Sequence, residues 1–279
     1  MTCWPERPWK REDGSAAETI VDWRAVGRLR DALTGSHRAG AAERKLAREI
    51  EAARPGTGQL VESGEEFHRR ASEWAVTEGG ARSVVYAAAG RPPHDGALHA
   101  RAAAAAPDAR FAYVFGDPET ELFTRSHFER TGAGRVAFAR GCCEDPEGWL
   151  REPGIAELTA LGPVSVQLVL ALHWWPPELC YRVLLAFRRE LPPGSTVCMS
   201  CGIVSGPQAR EYADLLSEGG GGRIRLHSRE QIAGWIGMAG MVLHPAGVTD
   251  ARAWQRPWGV PRRPAAGPCV VEAVCSVPG

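Results

Sequence analysis

An α/β fold, with a doubly wound and mostly parallel sheet behind an N-terminal helical segment, is predicted by three observations. Short apolar runs ending at Ala87, Phe115, Phe138, Leu172 and Ser200 alternate with stretches of helical periodicity. Buried strands separated by helices at this cadence build a parallel sheet with helices on both faces. Residues 18–80, by contrast, read as helix without a strand. The 279 residues, 44% hydrophobic and 24% charged, are enough to bury a full core in one large domain.

Taken in order, residues 1–17 carry Pro5, Pro8 and several charges and read as a loose arm. The segment 18–80 holds three helices. Ile20, Trp23, Val26 and Leu29 to Leu33 recur at helical spacing; Ala41 to Ala53 ends at Arg54-Pro55-Gly56; Glu62 to Thr77 carries Phe67, Ala71, Trp74 and Ala75 on one face. The domain 81–256 follows. Its strands are Ser83–Ala87, Arg110–Phe115, Val136–Phe138, Val164–Leu172 and Thr196–Ser200. Its helices lie at 97–106, from Pro118, at 146–150, 155–161, 177–191 and 228–238. The Pro/Gly-rich tail 257–279 contains Cys269 to Cys275, which is either an extra strand or a partner contact. In such sheets ligands bind beyond the carboxyl ends of the strands, so the loops after Tyr86, Phe115, Phe138 and Leu172 are the places to look.

Charge narrows the function. Lys+Arg and Asp+Glu both total 33, so no net field draws the chain to nucleic acid or to an anionic membrane. Only two of the basic residues, Lys10 and Lys45, are lysines, a bias that follows GC-rich coding. The first residues lack the apolar run of a secretory signal, and the longest apolar stretch, Val164 to Leu172, is too short to cross a bilayer. A cytoplasmic location with free thiols is expected for the eight cysteines. Cys198-Met-Ser-Cys201 has zinc-knuckle spacing, but no second such pair exists, so no metal is expected.

An ordered series of segments resembles the S-adenosylmethionine (SAM) dependent methyltransferases of class I, Rossmann-like fold that are abundant in actinobacteria. That family's R-x-Y-D-Y-x-L-G-G-K-D-N segment is similar to Arg28-Leu-Arg-Asp31 through Gly35-Ser36-His37-Arg38-Ala39, with Glu43-Arg44 after it. Its D-I-G-T-G-L-P-T looks like Tyr86 to Pro93, and its V-Y-V-D-x-D-P like Ala112-Tyr113-Val114-Phe115-Gly116-Asp117-Pro118. Its A-D-x-R-D-P-E matches Gly141-Cys142-Cys143-Glu144-Asp145-Pro146-Glu147, and its L-H-F-V-P matches Leu172-His173-Trp174-Trp175-Pro176. Later P-P-G-S and S-R-E-E-I elements appear at Pro192–Ser195 and Ser228–Ile232, so the likeness runs from about residue 24 to 256.

The departures fall where the resemblance places the cofactor. Ala88 replaces a glycine of the turn while Gly90 is kept, and Phe115 stands where an acid accepts the ribose hydroxyls. Cys142 replaces the carboxylate that takes the adenine amino group, and Tyr86 replaces the acid of the first loop. Arginine and histidine appear instead at Arg38, Arg91, Arg140 and His94. The reading that follows is a methyltransferase fold that binds no cofactor and has turned to a small anionic metabolite bearing sulfate, phosphate or carboxylate. The reaction is then intramolecular displacement, elimination or cyclisation, with formation of a small ring such as an aziridine as the example. His173, His37 and Tyr86 are the candidates for proton transfer, with Cys142 and Cys143 as weaker nucleophiles. Arg28, Asp31, Arg38, Arg91, His94, Phe115, Arg140 and Trp174 are the substrate contacts, and Gly90 touches SAM only if SAM is bound. Two alternatives stand beside it: a genuine SAM-dependent methyltransferase, and a catalytically silent subunit in a homodimer or in a heterodimer with a related chain. The resemblance also implies a place in secondary metabolism.

Overall fold

The computed structural model describes residues 21–36, 39–91, 97–131, 136–203, 209–219, 221–252, 254 and 269–279. Three helices come first, α1 (Trp23–Leu33), α2 (Ala41–Ala53) and α3 (Thr57–Thr77). Asp22 starts α1 by accepting the backbone N–H groups of Arg24 and Ala25. The third helix begins five residues before the expected Glu62. Gly56, in the left-handed region, and the Glu51 carboxylate, which accepts from the Gly56 and Gly58 N–H groups, set that start.

The sheet alternates with helices in the predicted order: β1 (Ser83–Ala87), α4 (Ala100–Ala105), β2 (Arg110–Phe115), α5 (Pro118–Thr131), β3 (Val136–Arg140), α6 (Pro146–Leu150), α7 (Pro153–Ala160), β4 (Val164–Leu168), α8 (Pro177–Glu190) and β5 (Thr196–Ile203). After these come α9 (Ala209–Gly219), a helix the sequence reading passed over, α10 (Arg229–Met238), the short strands β6 (Val242–Leu243) and β7 (Thr249–Asp250), and β8 (Cys269–Ser276). Ser228 and Gln231 form a reciprocal capping box at the start of α10. The strand order is β3-β2-β1-β4-β5-β8-β6, parallel from β3 to β5 and antiparallel at β8 and β6. The 269–276 segment is therefore an inner strand of the sheet, paired along its whole length with β5.

Alternation along each strand sorts side chains onto two layers. Val85, Ala87, Val166, Met199 and Val271 face one layer with α6, α7, α8 and α10, whereas Val84, Tyr86, Tyr113 and Phe115 face the other. Cys198 and Cys201, three apart on β5, consequently point to opposite faces and cannot share a metal ion. Among the described residues no group of three or more His, Cys, Asp or Glu side chains could hold one. No described helix is long and apolar enough to cross a membrane.

The polar residues of β4 have a structural use. Ser165 and Gln167 join a buried chain in which His68 of α3 pairs with the Gln167 amide oxygen and the Ser200 hydroxyl, both at 2.8 Å. Tyr86 extends it by donating to Ser72 at 2.8 Å. Burial lowers His68 to about 3, so it folds as a neutral ring that ties α3 to the sheet.

Glu272 of β8 is almost fully buried, and one of its oxygens has no hydrogen-bond partner. Burial pushes its carboxyl up to about 9 against the pull of Arg70. It is thus protonated in the native state, while the unfolded chain ionises it from its ordinary 4.5 upward. Between those values the native state holds the extra proton, and stability declines by up to about 1.4 kcal/mol per pH unit as pH rises. Glu272→Gln is expected to raise the melting temperature at pH 8 and leave it unchanged at pH 4; thermal melts at both pH values check this.

Candidate functional site

Two cavities open side by side at the carboxyl ends of the strands, beneath α1. A narrow cleft of about 20 Å³ lies among Trp23, Gly27, Ala88, Gly90, Phe115 and Asp117. A larger cavity of about 80 Å³ lies between α1, the start of α3, the residues after β4 and the end of β5. Val26 and Arg30 line both and form the partition between them.

The cleft is shaped by the exit from β1. Ala88 and Gly90 both adopt left-handed backbone, φ 58° and 68°. For Ala88 this costs about 1 to 3 kcal/mol. At Gly90 a side chain would also crowd α1, its Cβ falling 3.5 Å from Arg30 Nη1 and 3.7 Å from the Gly27 Cα. Arg30 closes the turn by donating Nη1 to the Ala88 carbonyl at 2.9 Å and Nη2 to Glu65 at 3.0 Å. Its Nε has no partner. At the end of β2, Asp117 accepts the Thr120 N–H with Oδ1 at 2.7 Å and opens α5.

Behind the cleft wall formed by Trp23 and Cys143 lies Glu144, which does not itself line the cleft. Its carboxylate accepts the indole N–H of Trp23 at 2.9 and 3.1 Å and that of Trp175 at 3.0 Å, and the Cys142 thiol donates to it. The Trp23 and Trp175 rings meet edge to face at 6.3 Å. Burial, with Glu144 adding to it, pushes both the Cys142 and Cys143 thiols up, so neither is a thiolate at neutral pH.

In the larger cavity His173 sits on a 3₁₀ turn, Leu172–Trp174. The expected strand to Leu172 stops at Leu168 because Leu170 turns through the left-handed region, φ 53°, with its N–H given to the Ser200 hydroxyl. His173 Nδ1 accepts the Gly202 N–H at 3.1 Å. That bond assigns the ring hydrogen to Nε2 and uses the lone pair a general base would need. Burial, reinforced by His227 and Arg30, lowers the ring to about 3, so at neutral pH it is an uncharged donor and not the base anticipated.

The other predicted residues fall as follows. Trp174 lines the larger cavity beside His173, and Gly90 lines the cleft. Phe115 also edges the cleft, but its ring belongs to an aromatic row with Tyr113 and Phe138, both 6.1 Å away. Tyr86 is fully buried, stacked on Tyr113 at 4.8 Å, and lines neither cavity, because β1 turns its side chain to the opposite layer. Arg28 pairs with Glu43 at 2.8 Å. Arg91 lies between Glu119 at 2.5 Å and Asp31 at 3.5 Å, over the Phe123 ring. Arg140, on the exposed end of β3, pairs with Glu121 at 2.5 Å. Burial alone would raise the Glu121 carboxyl, but hydrogen bonds from Arg140 and Arg125 hold it below the usual range. Of the basic residues expected to meet an anion, Arg28, Arg91 and Arg140 are therefore held in separate ion pairs. His37, Arg38 and His94 lie outside the described residues.

Arg30, Glu144 and Trp23 are the site residues that the sequence reading missed. A signal existed for two of them: Arg30 stands at the first tyrosine of the R-x-Y-D-Y segment, and Glu144 at the arginine of A-D-x-R-D-P-E, two residues after the acid lost at Cys142.

Comparison with known proteins agrees with this geometry. The family model for S-adenosyl methyltransferases matches residues 16–275. A candidate methyltransferase from Thermobifida fusca YX superposes with a TM-score of 0.80 at 24% identity, over 91% of this chain and 95% of that one. A DUF574 family protein from Streptomyces avermitilis superposes with a TM-score of 0.76 at 21% identity, over 90% and 97%. At these identities the two structures establish the fold, which is the mostly parallel class I, Rossmann-like one. No curated protein matches the chain. By the match along nearly its whole length, the chain belongs to the S-adenosyl methyltransferase family.

Proposed function

We propose that this protein is a SAM-dependent methyltransferase acting on a small molecule. The observation that carries the reading is the pair of adjoining cavities at the strand ends, a cleft with Asp117 and Thr120 in its wall beside an apolar chamber, with Val26 and Arg30 lining both. Methyl transfer needs two ligands held against each other, and cavities that share a boundary place two binding spaces side by side. SAM, when bound, supplies an electrophilic methyl group.

Groups suited to that cofactor stand at and behind the cleft, on residues other than the expected ones. Asp117 has an oxygen without a protein partner among the described residues and would take the ribose hydroxyls in place of Phe115. Glu144 would take the adenine amino group in place of Cys142, its carboxylate lying within reach of that thiol. The left-handed turn at Ala88 and Gly90 gives the amino-acid end a close approach to backbone. The Trp23 indole holds Glu144 and narrows the cleft to about 20 Å³, space for about one water, so α1 must shift outward to admit a nucleoside. Among the described residues, Arg28, Arg91 and Arg140 are each committed to a carboxylate, which argues against displacement at an anionic substrate.

Calorimetric titration of the full chain with SAM and with S-adenosylhomocysteine tests the reading. Micromolar binding of both is the expected result. Absence of binding at millimolar concentration would overturn it.

A further inference from the structure

The larger cavity is built for a kind of molecule that the anion-pocket expectation excluded. Ten of its fifteen lining residues are aliphatic or aromatic, Leu29, Leu60, Val61, Leu170 and Trp174 among them. Its polar members are nearly all committed elsewhere. The Thr57 hydroxyl donates to the Arg54 carbonyl at 2.8 Å. The Arg30 guanidinium is neutralised by Glu65, which lies 3.0 Å away and does not line the cavity. Cys269 is held as a thiol by burial. Among the described residues no carboxylate lines the chamber to receive a cation, and Arg30, the one arginine or lysine of its lining, is already paired.

One group is left. His173 accepts the Gly202 N–H through Nδ1, so Nε2 carries the hydrogen, and Nε2 has no protein partner among the described residues. The ring stands beside Trp174, with centroids 5.3 Å apart, at the cavity wall. A single directed donor in an apolar chamber selects a ligand with one matching acceptor, because an acceptor-free ligand leaves the N–H desolvated and unpaired.

We propose that this cavity binds an uncharged, largely apolar molecule through one hydrogen bond from His173 Nε2–H to an acceptor oxygen. The proposal rests on the methyltransferase reading in identifying that molecule as the methyl acceptor. Three probes of similar shape separate the possibilities: acetophenone carries a carbonyl acceptor, ethylbenzene has none, and benzoate is an anion. Titrated calorimetrically into the full chain, acetophenone is expected to bind about tenfold more tightly than ethylbenzene, with benzoate weaker than both. His173→Phe keeps a ring but removes the donor, and should bring acetophenone down to the level of ethylbenzene while leaving ethylbenzene unchanged. Val61→Trp fills the chamber and should remove binding of all three.

Benzoate binding most tightly, equal binding of acetophenone and ethylbenzene, or binding of none at millimolar concentration would each overturn the proposal. So would an acetophenone preference that survives in a folded His173→Phe variant. If circular dichroism shows that variant unfolded, the three titrations of the unaltered chain decide. SAM titration of the same preparation separates the two levels. No SAM binding beside a clear acetophenone preference overturns the methyltransferase reading but not the ligand class of the cavity; SAM binding with benzoate the tightest probe overturns this proposal alone.

Discussion

Glu65→Ala is expected to destabilise the protein by about 3–5 kcal/mol, the cost of leaving a buried charge without its partner. Glu65 on α3 and Arg30 on α1 are each more than nine-tenths buried and meet at 3.0 Å. Removing the carboxylate leaves the guanidinium with the Ala88 carbonyl as its hydrogen-bond partner among the described residues and Nε still unpartnered. The loss is also local to the site, because this pair links α1, α3 and the turn after β1, the three walls that meet between the cavities. Urea denaturation of the variant measures the effect. The double variant Arg30→Met with Glu65→Leu, which removes both charges and keeps the volume, is expected to recover most of the loss. A loss below about 1 kcal/mol for Glu65→Ala would mean that the pair behaves as a solvated surface bridge.

Asp117→Asn is expected to weaken SAM binding about 10- to 100-fold while the fold stays intact. The amide oxygen of asparagine can still accept the Thr120 N–H that opens α5, so the helix start is kept. What is lost is the negative charge, and hydrogen bonds to charged groups are worth about 1.5–3 kcal/mol, where 1.4 kcal/mol is tenfold in affinity. Phe115 cannot take over, since its ring is held in the aromatic row with Tyr113 and Phe138 and has no acceptor. Calorimetry with SAM on the variant and the unaltered chain makes the comparison; equal affinity would show that the ribose lies elsewhere.

The positions of the strands and most helices were legible because each apolar run is bounded by turn residues and is short enough for one strand. The order of motifs along the chain identified the family for the same reason, since those segments carry backbone geometry that survives changes of side chain. Where the reading went astray, local geometry intervened. Leu170 in left-handed backbone ended β4 early and set His173 on a 3₁₀ turn, and nothing in the apolar run of Val164 to Leu172 announces that turn.

Charge at the site was the part that sequence could not apportion. Arg38, Arg91, Arg140 and His94 read as an anion pocket, but of these Arg91 and Arg140, like the further substrate candidate Arg28, are already neutralised, by Glu119 with Asp31, by Glu121 and by Glu43. These partners come from other turns, helices and strands, so pairing depends on how the elements pack. In the same way Tyr86 and Phe115 are residues of strand ends by sequence, while the direction of each side chain is a property of the register in the sheet. The sequence by itself determined the α/β architecture and the family, because hydrophobic periodicity and turn residues act locally. Only the tertiary structure decided which charges are neutralised, which tautomer His173 holds and which cavity is apolar, because each is fixed by contacts between residues far apart in the chain.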